Sequence, residues 1–107
     1  MAPCPEALTE VVARLSAACD IERLYLYGSR ARGNARTDSD YDLTMVVDDD
    51  VVGAEGLAKM VLLDVDVPVD LLAWPSGLFD EWACRPGSLP WNVVHDGRLL
   101  LTSGRAA

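Results

Sequence analysis

The chain has 107 residues, half of them apolar and about a quarter charged, which fits one globular domain over 1–107 with a modest core. Nine Lys and Arg against seventeen Asp and Glu give a formal charge of −8, which excludes a surface for extended DNA or RNA, since that needs many cations along one face. No apolar run is long enough to span a membrane, the N-terminus lacks a signal peptide's basic start, and Cys4, Cys19 and Cys84 are too few and too scattered for a disulfide framework or a structural zinc site, so cytoplasm is the default compartment.

From the N-terminus, Leu8, Val11, Val12 and Leu15 fall at i, i+3, i+4 and i+7, which predicts a helix from Pro5 to Ala18. Arg23 to Tyr27 is a β-favouring run stopped by Gly28. Gly28 to Ser39 reads as a polar loop with one helical turn around Ser29 to Arg32. It holds Arg30, Arg32 and Arg36, a third of all Lys and Arg in the chain, and so is either a local phosphate-binding spot or a solvated loop. Asp40 to Val47 reads as a second strand. Asp50 can cap a helix from Val51 to Leu63, though Gly53 and Gly56 weaken it. Val65 to Trp74 reads as a third strand, Leu78 to Cys84 as a short helix with Ser76 as its cap, Trp91 to His95 as a further helical turn, and Arg98 to Leu101 as a last strand before a frayed tail. The fold class is α/β (α+β): a short mixed sheet with flanking helices in the order α-β-α-β-α-β-α-β.

Chemistry concentrates between residues 28 and 70. On a strand, i and i+2 share a face, so Asp40 and Asp42 project together about 7 Å apart. Like charges so placed are a poor structural choice, yet they suit a divalent cation: Mg²⁺ takes hard oxygen donors, often one or two carboxylates plus substrate phosphates. Taken alone the pair also fits two solvated acids on an edge strand. Gly28 and Ser29 end the preceding strand, where a glycine admits close backbone approach and a hydroxyl and N–H groups can donate to phosphate. Asp70 stands in the apolar run Val67 to Leu72. Asp64 and Asp66 share its parity and compete with it, but apolar neighbours on both sides place Asp70 inside the sheet, as a third metal ligand and proton acceptor.

Gly28-Ser29, ten residues, Asp40-Tyr41-Asp42-Leu43 and then a lone strand Asp70 together resemble the nucleotidyltransferase superfamily typified by DNA polymerase beta. The text from Gly28 to Gly33 and from Ser39 to Leu43 is closer still to its minimal nucleotidyltransferase branch. The likeness spans Leu24 to Ala73. It implies the nucleotidyltransferase fold and two Mg²⁺ ions, or Mn²⁺ in their place, held by Asp40, Asp42 and Asp70. It also implies ATP or another NTP bound through Gly28 and Ser29, with Arg30 and Arg32 as further phosphate contacts. Such a site transfers a nucleoside monophosphate to an acceptor hydroxyl. With nothing following Ala107 to grip an acceptor, the expectation is that a second protein, or a second copy of this chain, presents it. Family members of this size resemble the antitoxin of a toxin–antitoxin pair whose partner is a HEPN-domain RNase, silenced by AMP transfer to a tyrosine. The competing readings are a pure binding module that inhibits by contact and a small-molecule nucleotidyltransferase.

The remaining features read as structure. Trp74, Phe79, Trp82 and Trp91 crowd the last third as core or as a partner surface, His95 belongs to a turn, and the cysteines are small core fillers.

Overall fold

A computed structural model describes residues 6–28, 40–48, 50–65, 67–102 and 105–106. In chain order the elements are α1 (Glu6–Ala18), β1 (Arg23–Tyr27), β2 (Tyr41–Val47), α2 (Val51–Val61), β3 (Val69–Pro75), α3 (Ser76–Ala83), α4 (Leu89–Asp96), β4 (Arg98–Thr102) and β5 (Arg105–Ala106). The strands form one mixed sheet in the order β3-β2-β1-β4-β5, parallel only between β2 and β3, which α2 connects.

Strand alternation divides the sheet's residues between two cores. Leu24, Leu26, Tyr41, Leu43, Met45, Val47, Leu71 and Ala73 face α1 and α2, where Leu8, Val11, Leu15 and Ala58 close the larger core. Tyr25 and Val46 face the other way, onto Phe79 of α3 and Val93 of α4. Phe79 is fully buried, stacked on Tyr25 at 5.7 Å and edge-on to Trp74 at 6.2 Å. Helices therefore cover both faces, and the second face is covered mainly near the start of β1 and the ends of β2 and β3.

The third strand begins at Val69 rather than Val65. After α2 the chain makes a turn through Leu62 to Asp64, closed by backbone bonds from Leu62 to Lys59 and from Leu63 to Met60, and only then reaches the sheet. Asp64 consequently lies off the strand and pairs with Arg14 of α1 at 2.5 Å. Ser76 is the first residue of α3 and not its cap. Pro75 precedes it without a side-chain bond, and the Ser76 hydroxyl donates instead to Asp48 at 3.2 Å. Ser88 caps α4, its Oγ accepting from the Trp91 N–H, so that Pro90 falls in the first turn and a full helix forms in place of a single turn. The tail adds the two-residue strand β5 to β4. Trp82 and Cys84 are exposed and Trp74 is half-buried, so neither the tryptophans nor the cysteines are uniformly core.

Two local devices shape the β3 side of the molecule. Asp50 caps α2 with φ 46°, its carboxylate accepting from the Gly53 N–H at 3.2 Å, and a Cβ on Gly53 would collide with that carboxylate. The Gly53 that weakens the helix by propensity is therefore required by its cap. On the outer edge of the sheet, the free Ala73 N–H donates to Glu55 of α2 at 2.8 Å, and Pro75 has no N–H to offer. Both features block continuation of the sheet past β3.

Candidate active site

The C-terminal end of β1 and the N-terminal ends of β2 and β3 lie side by side. Tyr27 pairs with Asp42, and Asp42 pairs with Asp70 in the parallel ladder. Neighbouring strands are about 4.8 Å apart and paired residues share a face, so the two carboxylates project from adjacent positions on one surface. Asp40 immediately precedes β2 and is exposed. The Tyr41 N–H donates to the Pro68 carbonyl at 2.9 Å, which ties the entry of β2 to the segment leading into β3.

Asp42 carries an electrostatic record of this convergence. Its pKa is raised, first by partial burial and then by the charges of Asp70 and Asp40. Among the described residues no Lys or Arg forms an ion pair with any of the three acids.

Gly28 follows β1 with φ +80°, a conformation that favours glycine, and a Cβ there would stand 2.5 Å from Asp42 Oδ2. The turn and the acid are thus packed against each other, and only a residue without a side chain leaves the carboxylate where it is.

Asp70 departs from expectation in its environment. It is exposed, because β3 is an edge strand and its even-numbered side chains face the side that α3 leaves open, while Leu71 and Ala73 fill the core opposite. Apolar flanks mark the strand and not the burial of the acid. Ser29, Arg30, Arg32 and the helical turn expected around them lie outside the described residues, as does Asp66. Asp64 is held by Arg14, which lowers its pKa through their hydrogen bond. His95 sits in the last turn of α4, its ring stacked on Trp91 at 4.1 Å and bonded to the Trp91 carbonyl. Tyr27 carries no sequence signal, since only the strand register reveals it as the cross-strand neighbour of Asp42.

The donor set suits Mg²⁺: hard carboxylate oxygens, adjacent and mutually repelling. Among the described residues no three His, Cys, Asp or Glu side chains are already drawn into a closed metal cluster. Two clefts bounded by described residues lie away from the acids, one of about 490 Å³ between α1 and α2 and one of about 270 Å³ lined by Cys19, Asp48 and Asp50. No helix among the described residues is long and apolar enough to cross a membrane.

A mixed sheet with helices on both faces and acids gathered at one end defines the nucleotidyltransferase architecture. The chain belongs to the polymerase beta nucleotidyltransferase family, whose model matches residues 9–104. No curated protein matches it at a significant level. Among solved structures it resembles a chain of a toxin–antitoxin complex determined with AMP-PNP, at 22% identity and TM-score 0.62 over 92% of this chain and 74% of that one. It also resembles a chain of the MntA–HpeT toxin–antitoxin complex carrying two Asp→Glu substitutions, at 21% identity and TM-score 0.60 over 88% and 72%. A third is a protein assigned as a nucleotidyltransferase from Sulfolobus solfataricus, at 21% identity and TM-score 0.64 over 94% and 82%.

Proposed function

We propose that this chain is a minimal nucleotidyltransferase that moves AMP from ATP onto a tyrosine hydroxyl of a partner protein, as the antitoxin of a pair whose toxin has a HEPN domain. The observation that carries the reading is the in-register pair of Asp42 and Asp70 with Gly28 closed against Asp42. The likeness to chains of toxin–antitoxin complexes, one of them solved with AMP-PNP, supports a nucleotide and a toxin as partners.

In this reading Asp40, Asp42 and Asp70 hold Mg²⁺, which when bound supplies positive charge to the triphosphate and to the oxygens of the reaction. Gly28, packed against Asp42, lets the turn's backbone approach the phosphates, and Ser29, Arg30 and Arg32 donate to their oxygens. Asp70 takes the proton of the acceptor hydroxyl. That oxygen forms a bond to the α-phosphorus in line with the departing group, the bond from the α-phosphorus to the bridging oxygen breaks, and pyrophosphate leaves with the electron pair.

The alternative is a module that silences its partner by contact. With the HEPN-domain partner, ATP and Mg²⁺, the wild-type chain is expected to raise the partner's intact mass by one AMP, and Asp42→Asn is expected to abolish the gain. Equal silencing by Asp42→Asn without a mass change would establish the contact reading instead.

A further inference from the structure

Beside the acids lies a side chain that this mechanism does not use. Leu72 follows Asp70 by two residues, on the same face of β3, and is 43% exposed. Its row across the sheet runs from Tyr25 on β1 through Thr44 on β2, which are 8% and 4% exposed. The surface thus opens as it reaches the β3 margin. One row further, Trp74 pairs with Val46 and is covered by Phe79. Leu72 is the apolar position left bare between that covered patch and Asp70.

Two features indicate what approaches it. Gly28 closes on Asp42 from the β1 side, where the proposed function sets the phosphates, and the acceptor is left the opposite flank, along Asp70 and Leu72. An added strand is a poor fit at this margin, because Glu55 occupies the Ala73 N–H and Pro75 lacks one. The incoming partner therefore meets the margin through side chains. A bare leucine about 7 Å along the strand from the proton acceptor matches a hydroxyl carried on an aromatic ring better than one carried on a sugar or a small polar chain.

We propose that Leu72 is the specificity contact for the acceptor, selecting an aromatic hydroxyl in the form of a partner's tyrosyl side chain; this rests on the transferase reading above. Contact with Leu72 sets the ring beside Asp70 and contributes to acceptor affinity, not to nucleotide binding.

The test uses the full chain with Mg²⁺, α-labelled ATP and two acceptors of the same backbone, N-acetyl-tyrosinamide and N-acetyl-serinamide. Wild type is expected to label the tyrosine probe in preference. Leu72→Thr, neutral and suited to a strand, is expected to raise the KM for the tyrosine probe roughly tenfold, the scale of losing an apolar pocket contact. The KM for ATP should stay within about twofold, and Leu72→Met should restore acceptor binding. An unchanged tyrosine KM in Leu72→Thr overturns the proposal. So does a wild type that labels both probes equally, which leaves the transferase reading standing. A wild type that labels neither probe also overturns the proposal, and the transferase reading is then decided by the partner's intact mass.

Discussion

Replacing Gly28 by alanine probes the contact on which the site's geometry depends. At φ +80° a Cβ is strained whatever the space around it, at about 1–2 kcal/mol. The same Cβ would stand 2.5 Å from Asp42 Oδ2, so the carboxylate must rotate away, adding about 0.5–1.5 kcal/mol for an off-rotamer side chain. The expected destabilisation of Gly28→Ala is therefore about 1.5–3.5 kcal/mol, read from urea denaturation at constant m-value. A double-mutant cycle separates the two contributions. With Asp42 shortened to alanine, the nearest remaining atom of that residue is its Cβ at 3.8 Å, an ordinary contact. Only the backbone cost then remains, which leaves a coupling of about 1 kcal/mol between the two sites. Equal costs of Gly28→Ala in both backgrounds would refute the packing of the turn against the acid.

Other perturbations test other parts of the account. Gly56 is exposed in the middle of α2, and a Cβ added there would meet nothing within 4 Å, so Gly56→Ala should stabilise by about 0.5–1 kcal/mol in thermal melts. Gly53→Ala should not, because its Cβ meets the Asp50 cap. The raised pKa of Asp42 means that its charge costs the metal-free fold stability at neutral pH. For an acid whose folded pKa lies above its unfolded value, that cost is fully present above the folded value and fades as pH falls through it to the ordinary Asp range. Asp42→Asn should therefore melt higher than wild type at neutral pH without metal. The difference should vanish in acid. Mg²⁺–ATP at a hundredfold over its Kd should stabilise wild type by about 2.7 kcal/mol and Asp42→Asn far less, and comparable protection of the variant would remove Asp42 from the site.

The elements most legible from sequence are those with strong local periodicity. Leu8, Val11 and Leu15 mark the buried stripe of α1, and all three are at most 1% exposed. Gly28 ends β1 at the expected residue, and Asp50 caps α2 as its position suggests. What resists reading depends on contacts distant in the chain. The alternation of Val67 to Leu72 cannot tell an edge strand from a central one, so the exposure of Asp70 follows only from the strand order. Asp64 keeps strand parity with Asp70 in the sequence, but Arg14, fifty residues away, claims it. The same holds at the site: two carboxylates spaced for one face are visible in sequence, but the pairing of Asp42 with Tyr27 and Asp70 is a property of register. Leu72 carries no sequence signal, since a leucine in an apolar strand reads as core.

The central claim is that the acids at the head of β2 and β3 direct transfer of the α-phosphorus of ATP. The most direct measurement follows ATP labelled at the α- or the γ-phosphate, with Mg²⁺ and the partner protein, for wild type and Asp42→Asn. Wild type should place the α-label on the partner and release the γ-label as pyrophosphate, and Asp42→Asn should do neither. A γ-label on the partner, or α-labelling that survives in Asp42→Asn, would contradict the account.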